Sequence, residues 1–155
     1  MKYVRQVLPG DVEMLADQMR PSDVSEVAAA SGLEPLEALR LGVANDRYTR
    51  ILQNAEGELV GIFGATWEDD STTATIWMLG TNLLETIPLT FARRSREVID
   101  DLFNISGVHI MWNLTDARNT NHHMWLKWCG AKFLAKYPMG INGEEFIEFA
   151  IIRNK

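Results

Sequence analysis

The chain is short of cysteine, of basic charge and of long apolar runs. Its 155 residues include one cysteine, Cys129, so an internal disulfide is excluded and a reducing cytosol is expected. No apolar run approaches the length that spans a bilayer, and the N-terminal segment MKYVRQVLPGD has no apolar signal region. The net charge of −6 argues against general nucleic-acid binding, which needs a basic surface. These absences predict a cytoplasmic globular protein without membrane or nucleic-acid partners.

Side chains for metal binding or thiol chemistry are equally scarce. The three histidines and the cysteine show neither Cys-x-x-Cys nor His-x-x-x-His spacing, so no metal site is predicted. Cys129 stands among tryptophans and a leucine, which favours a small buried hydrophobe over a nucleophile. The acidic balance suits a basic substrate such as an amine, although it also serves solubility alone. Most of the tryptophans are expected in the core, and some in a cleft or a subunit interface: Trp67, Trp77, Trp112, Trp125 and Trp128.

The length corresponds to one domain, residues 1–155, with enough chain to bury a sizeable core. Turn residues and hydrophobic periodicity predict the order strand, three helices, three strands, helix, strand, helix, two strands. A mixed sheet of six to seven strands with helices on both faces is the economical arrangement of these elements. The predicted elements are 3–8, 11–19, 22–31, 35–46, 51–55, 58–68, 73–80, 89–103, 108–114, 120–129, 132–137 and 145–152.

The most informative stretch is DARNTNHHMWLKWCGAKF, residues 116–133. It indicates the end of a strand, a capped helix entry, a short amphipathic helix and a Gly turn into another strand. Asn119 lies eleven residues before Gly130. This order and spacing resemble the second cofactor-side motif of the GCN5-related N-acetyltransferases, the GNAT family.

Further pieces narrow the resemblance. IWMLGT (76–81), FARRSREVI (91–99), ASGLEPLEALRLGVAND (30–46) and VGIFGA (60–65) stand at separations similar to those in a family of small phage proteins. These are the acetyltransferase-like proteins of T7-like short-tailed phages that are named after internal virion protein A. The resemblance covers nearly the whole chain, and its ordered set of pieces is more specific than any one of them.

The resemblance implies a fold that binds acetyl-CoA, and a phage origin. It implies a splayed gap between the strands 73–80 and 108–114. In that fold a backbone bulge at the gap exposes peptide groups that pair with the pantetheine arm. The CoA pyrophosphate would bind at the start of the following helix, where unpaired N–H groups and the helix dipole attract anions.

Eight residues are candidates for cofactor binding by this resemblance: Leu79, Gly80, Thr81, Thr86, Thr90, Arg93, Arg94 and Asn119. The usual Gly-x-Gly/Ala pair is absent, because Asn82 to Pro88 contains no glycine. The threonine hydroxyls and the guanidinium groups suit phosphates, although a threonine cap and a solvated arginine face are the simpler alternatives. Asn119 would contact the pantetheine arm or cap the helix, and both interpretations stay open.

Two residues are candidates for the chemistry. The family's general acid is a Tyr four residues before the motif Gly, and Leu126 stands there. His122, at the start of the same helix, is the candidate acid or base, with a backbone-bonded helix entry as the structural alternative. Glu68 is the candidate general base at the end of a strand, with a plain acidic turn as its alternative.

Three hypotheses of function follow. The first is acyl transfer from acetyl-CoA to an amine, on a small molecule or a protein. The second is a phage internal virion or assembly protein that keeps the fold without the reaction, and Leu126 and the missing glycine pair favour it. The third is a host-directed interaction protein that binds CoA without turnover. All three predict a location in the host cytoplasm or the virion, and weak turnover with generic amines is expected.

Overall fold

A computed structural model describes residues 3–86 and 88–154, and within them the side chains of residues 88, 90 and 91 are left aside. No helix in these ranges has the length and apolar character needed to cross a membrane. The element order is the predicted one, with an added 3-10 helix at Asn82–Thr86. The helices are α1 Asp11–Gln18, α2 Pro21–Ser31, α3 Pro35–Asn45, α4 Pro88–Ser106 and α5 Thr120–Trp128; the strands are β1 Val4–Gln6, β2 Tyr48–Gln53, β3 Leu59–Thr66, β4 Thr73–Gly80, β5 Ile110–Asp116, β6 Lys132–Tyr137 and β7 Phe146–Ile152.

The described strands form one seven-stranded sheet in the order β1-β2-β3-β4-β5-β7-β6. Every neighbouring pair is antiparallel except β4 and β5, which are parallel. The helix α4 makes the crossover that a parallel pair requires. The predicted mixed, mostly antiparallel sheet of six to seven strands is thus confirmed.

Each face of the sheet carries its own apolar core. One core packs α4 and α5 on the sheet and includes Phe63, Met78, Leu102, Leu126 and Phe149. The other packs α1, α2 and α3 on the opposite face and includes Leu15, Val27, Leu39, Ile62 and Leu79. Successive side chains of a strand point to opposite faces, so Met78 and Leu79 belong to different cores. Helices on both faces, as predicted, therefore fix β4 from two sides.

Local signals explain where α2 and α5 begin and end. Pro21 is the first residue of α2, where its missing N–H costs nothing, and Gly32 ends the helix with φ +72° and an N–H bond to the Ala28 carbonyl. Asn119 caps α5 by accepting a bond from the His122 backbone N–H. These two helix starts bring the polar side chains described below to the centre of the sheet.

Most differences from the predicted boundaries are a few residues long. The strand β2 begins at Tyr48 instead of Ile51, and β5 spans Ile110–Asp116 instead of 108–114. The 3-10 helix and a β-bridge between Met19 and Thr81 were not predicted. That bridge ties the loop between α1 and α2 to the end of β4, and it matters for the site.

Candidate functional site

The sheet opens between β4 and β5. The two strands pair only at their first residues, Thr73–Thr75 with Ile110–Trp112. Beyond that point, residues 76–80 of β4 and 113–116 of β5 have no ladder between them, and we call this space the split. The predicted gap between these strands is confirmed. Such a split leaves backbone groups of both strands without sheet partners, so each must find another partner or line a site.

The split forms without the expected bulge. The ladders from β4 to β3 and from β5 to β7 run through it without a register shift. The Asn113 side chain closes the narrow end instead, because its Nδ2 donates to the Ile76 carbonyl over 2.8 Å. Its Oδ1 also accepts from the Leu114 backbone N–H at 2.7 Å. The strands therefore diverge around a side-chain bridge, and the prediction of a bulge is wrong.

The wide end of the split is closed at β4 by Asp23 of α2. Its Oδ2 accepts from the Gly80 backbone N–H at 2.8 Å, and its side chain is fully buried. Arg20 holds this carboxylate through Nε and Nη2, at 2.8 and 3.2 Å. The Arg20 backbone N–H donates in turn to the Gly80 carbonyl at 2.9 Å. Both backbone groups of Gly80 that face the split are thus bonded to the segment that begins α2.

The β5 edge of the split is bonded to the next turn of the same helix. Glu26 Oε1 accepts from the Asp116 backbone N–H at 2.7 Å and from the Thr115 hydroxyl at 2.8 Å. Asn119 Nδ2 reaches Asp23 at 2.9 Å and Glu26 at 3.4 Å. We call Arg20, Asp23 and Glu26 the α2 polar cluster. The cluster bonds to both strands at the wide end of the split, beyond the residues where they pair with each other.

Asp116, at the end of β5, carries a charge of its own beside this cluster. Arg118 binds its carboxylate over 2.7 Å. These hydrogen bonds hold the pKa of Asp116 below its usual value, against the opposing effect of burial. The wide end therefore holds carboxylates from both α2 and β5, each with an arginine or backbone N–H partner.

A cavity of about 260 Å³ lies at the split on the side of α2 and α3. Its wall is mostly apolar, and its polar members are Glu26, Asn113 and His122. An apolar pocket with a few convergent polar groups is the usual form of a small-molecule site. Its lining residues are Glu26, Val27, Ala30, Ala38, Gly42, Ile76, Trp77, Met78, Leu79, Asn113, Leu114, His122, Phe146 and Phe149.

The indole of Trp77 forms one wall of the cavity and lies against two glycines. A Cβ on Gly42 would stand 2.8 Å from the ring, and one on Gly64 would stand 2.5 Å from its Nε1. That Nε1 donates to the Asp46 carboxylate. Burial raises the pKa of Asp46, and the indole bond acts in the opposite direction. The ring occupies its place because neither α3 nor β3 carries a side chain there.

The substitution Gly64→Ala should therefore displace the Trp77 ring and break its bond to Asp46. We expect a loss of about 1 to 3 kcal/mol in the free energy of unfolding, which is typical of overpacking. Urea denaturation would give the loss, and the near-UV circular dichroism would report the altered tryptophan environment. An unchanged midpoint together with an unchanged near-UV spectrum would contradict this placement of the ring.

His122 contributes a buried ring to the cavity. Its side chain is 4% exposed, and its Nδ1 is buried without a hydrogen-bond partner. The ring packs on Trp125 with centroids 5.5 Å apart. Burial lowers the pKa of His122, with smaller opposing effects from the Glu26 and Asp23 charges and a lowering effect from Arg20 and His123. Burial therefore favours the neutral imidazole, and its Nδ1 has no hydrogen-bond partner within the described residues.

This lowered pKa predicts how stability depends on pH. The unfolded chain binds a proton at His122 near the ordinary pKa of about 6.5, and the folded chain resists it. Stability from this group is therefore present above that pH and is lost as the pH falls through it, by at most about 1.4 kcal/mol per pH unit. We expect His122→Asn to flatten the decline between pH 7 and 5 in urea titrations. An unchanged slope in His122→Asn would contradict a lowered pKa at His122.

The predicted cofactor residues on β4 lie at the split with different partners. The Leu79 side chain lines the cavity, and the Gly80 N–H is bonded to Asp23. The Thr81 hydroxyl is buried and donates to the Leu59 carbonyl at 2.9 Å. Antiparallel pairing alternates, so Met78 presents its N–H and C=O to the same side as Gly80. Among the described residues, no segment outside the sheet bonds to these groups of Met78.

The candidates for phosphate contacts lie further from the cavity. The Thr86 hydroxyl donates to the Leu83 carbonyl at 2.7 Å, and the Thr90 side chain falls outside the described ones. Arg93 is exposed. Arg94 pairs with Glu97 at 2.9 Å and stacks over Tyr3 at 5.0 Å. The side chains of Thr86, Arg93 and Arg94 do not line the cavity.

Glu68 and His122 are not brought together. Glu68 is exposed in the turn between β3 and β4, at the end where β4 and β5 still pair. Leu126 is fully buried in the core under α5, and Cys129 is buried beside it. Burial raises the pKa of the Cys129 thiol far above its usual value, which agrees with a structural role. The carboxylate that shares the cavity with His122 is Glu26.

Glu26 and its neighbours Arg20 and Asp23 were not among the predicted site residues. In the sequence they are three residues apart, a spacing that places side chains on one face of a helix. Serines and a proline stand between them, and these residues indicate helix-cap chemistry. One feature of the sequence could have indicated this site. Three charged residues stand on the helix face that also carries Val27 and Ala30 toward the sheet.

Comparison with known proteins identifies this fold and little more. No family model and no curated protein matches the chain. Solved structures do match over nearly the full length. The acetyltransferase (GNAT family) from Bacillus anthracis has a TM-score of 0.71 at 13% identity, covering 96% of this chain and 93% of that one.

Two further matches were solved with ligands. Spermidine N-acetyltransferase from Vibrio cholerae, in complex with CoA and spermine, has a TM-score of 0.70 at 15% identity, covering 96% of this chain and 94% of that one. An aminoglycoside acetyltransferase in complex with coenzyme A and kanamycin has a TM-score of 0.69 at 17% identity, covering 97% and 94%. At these identities the likeness establishes the GNAT fold, which confirms that part of the sequence prediction.

Proposed function

We propose that this chain is an acyltransferase that moves an acyl group from acyl-CoA to a small amine, with the cavity at the split as its amine site. The observation that carries the proposal is the cavity itself. It joins a carboxylate, a neutral buried imidazole and an unpaired strand edge within one apolar enclosure. These are the groups that amine acylation uses, since the amine must bind, lose a proton and meet an acyl carbon.

Glu26 is the group we assign to the incoming ammonium. Its Oε1 is fixed by bonds to Thr115, Asp116 and Asn119. No hydrogen bond occupies its Oε2 among the described residues, so that oxygen can accept from a cation in the cavity. An ammonium against this carboxylate forms a charge-assisted bond in an apolar enclosure, where such bonds are strong. Glu26 thereby binds the ammonium, while Glu68, the base that the sequence suggested, does not line the cavity.

His122 is the group we assign to the proton. A base must be unprotonated before the reaction, and burial keeps the imidazole neutral. Its unpartnered Nδ1 can accept the ammonium proton directly or through one water. Protonation would be eased by the Glu26 and Asp23 charges, which act to raise the pKa of His122. The same ring could return that proton, which Leu126 cannot do.

The split fits an acyl-CoA pantetheine arm at one position of β4. Met78 has backbone groups free to pair with such an arm, and Leu79 would pack beside it. Thr86, Thr90, Arg93, Arg94 and Asn119 remain the candidates for the rest of the cofactor. Bound acyl-CoA would supply an activated thioester, and we propose acetyl as the acyl group. Gly80 is the exception to the fit, since Asp23 already holds its N–H.

The acceptor class follows from the size and polarity of the cavity. The structural relatives named above were solved with spermine and with kanamycin, which are small amines. The cavity here is mostly apolar and holds one unpaired carboxylate oxygen, so we propose a compact amine with a single ammonium and an apolar body. A protein acceptor would need to present a lysine side chain into the same enclosure.

Calorimetry with acetyl-CoA and with CoA tests the proposal first, followed by an acetylation assay on a panel of alkylamines, aralkylamines and polyamines. We expect micromolar to submillimolar cofactor binding and turnover that favours compact monoamines. Failure of the folded protein to bind at millimolar CoA would refute the acyl-CoA part of the proposal.

A second candidate is a GNAT-fold protein without turnover, acting in phage assembly or on a host protein. Two observations favour it: the bond from Asp23 to Gly80, and the burial of Leu126 where the family has its acid. The resemblance to phage proteins is its only support for a partner, and it suggests a location in the host cytoplasm or the virion. Co-purification with virions from infected cells, combined with absence of CoA binding, would decide for it.

A further inference from the structure

We infer that the α2 polar cluster is an internal closure of the cofactor slot, so that CoA enters only when Asp23 releases Gly80. This inference rests on the proposed function. The closure acts before the reaction, because this chain's own side chains must move before any cofactor binds. Three observations carry it.

The first observation is where Asp23 is bonded. The Gly80 N–H and C=O both face the split, on the strand edge where the resemblance places the pantetheine arm. Here the N–H is bonded to Asp23 Oδ2 and the C=O to the Arg20 backbone N–H. A pantetheine arm that pairs along this edge finds the backbone groups of Met78 free. The backbone groups of Gly80 are already bonded. The chain's own carboxylate and backbone therefore stand where a pantetheine amide would pair.

The second observation is that the closure spans both strands. Glu26 binds the Asp116 N–H on β5, one turn along the helix from Asp23 on β4. Asn119 Nδ2 contacts both carboxylates, and so links α2 to the start of α5. A single helix thus holds the wide end of the split, and withdrawal of its first turn would free Gly80 without disturbing the ladders on either side.

The third observation is how firmly the closure is held. Asp23 is fully buried, with Arg20 3% exposed beside it, and it accepts four hydrogen bonds. When Asp23 releases Gly80, the Asp23 carboxylate and the Arg20 guanidinium must find other partners. This raises the free energy of the released state. A ligand that binds only the released state has its apparent affinity reduced by the fraction of molecules in that state. The closure therefore weakens CoA binding without any contact to CoA.

Asp23→Asn tests the closure with little change in shape. The amide oxygen can still accept from Gly80, but the bond to Arg20 loses its charge. We expect CoA to bind about tenfold to a hundredfold more tightly to this variant than to the unaltered chain, since bonds to charged groups contribute in that range. Asp17→Asn, an exposed change of the same charge on α1, should leave CoA affinity unchanged. Arg20→Lys, a milder change, should shift affinity in the same direction by less.

A second measurement uses the unaltered protein and does not depend on any variant folding. In a ¹⁵N-resolved NMR titration, CoA should shift the Gly80 amide resonance if the bond from Gly80 to Asp23 must break, because the hydrogen-bond partner of that amide then changes. Equal CoA affinity of the unaltered chain and Asp23→Asn, or CoA binding that leaves the Gly80 amide unmoved, would overturn the closure while sparing the acyl-CoA proposal. No binding by any of the four folded proteins, the unaltered chain and its three variants, at millimolar CoA would overturn both.

Discussion

Asp23→Ala should lower the free energy of unfolding by about 3 to 5 kcal/mol, the range measured when one partner of a buried ion pair is removed. The change leaves the Arg20 guanidinium buried without its carboxylate. It also removes the acceptor for the Gly80 N–H and for Asn119 Nδ2. Urea denaturation followed by circular dichroism would measure the loss.

Two variants make the result specific. Asp17→Ala removes an exposed carboxylate from α1 and should cost little. The double change Arg20→Met with Asp23→Leu replaces the pair by apolar groups, and we expect it to recover a large part of the loss. If Asp23→Ala cost less than about 1 kcal/mol, the α2 polar cluster would not be a structural element, and the closure proposed above would lose its basis.

Glu26→Gln should reduce kcat/KM for amine acetylation by about tenfold to a hundredfold, because a hydrogen bond to a charged group contributes in that range and the variant loses the charge that binds the ammonium. The amide oxygen preserves the acceptor for Asp116 and Thr115, so the fold and CoA binding should persist. What is lost is the unpaired carboxylate oxygen that faces a cation. The defect should therefore appear mainly with cationic acceptors and not in cofactor affinity.

The matched control is Glu34→Gln, an exposed glutamate beside α3 that should leave the rate unchanged. Glu68→Gln serves as a second comparison, because the sequence suggested that residue as the base. A rate loss for Glu68→Gln with none for Glu26→Gln would reverse our assignment of the two carboxylates. Circular dichroism and CoA calorimetry on each variant would confirm that the fold is intact.

The fold was accessible from the sequence because its signals are local. The period-2 pattern of residues 73–80, the Asn119 cap and the Gly130 turn each determine their own element, and the structure places those elements as predicted. The 3-10 helix at Asn82–Thr86 carries no strong start signal, and it was missed. The gap between β4 and β5 followed from the resemblance, since no local pattern encodes it, and their parallel pairing was not predicted.

The site was less accessible because it is built from residues far apart in the chain. Glu26 and Thr115 are 89 positions apart, and Asp23 and Asn119 are 96 apart. The local sequence SDVSEV does not predict that its carboxylates will accept hydrogen bonds from the unpaired edges of β4 and β5. A position just after a strand suggested Glu68 as the base, but the turn from β3 to β4 lies at the end where β4 and β5 pair, away from the wide end of the split. His122 was found because a histidine at a helix start is conspicuous in itself.

The narrow junction between β4 and β5 has a mechanical consequence. Three register pairs join an antiparallel unit of four strands to an antiparallel unit of three, and α2 is the brace across the remainder. Native-state hydrogen exchange should then resolve two cooperative units, with the amides of β4 and β5 beyond the junction opening first. A ligand bound in the split would contact both units at once. Its binding should therefore raise the melting temperature and make the two units unfold together.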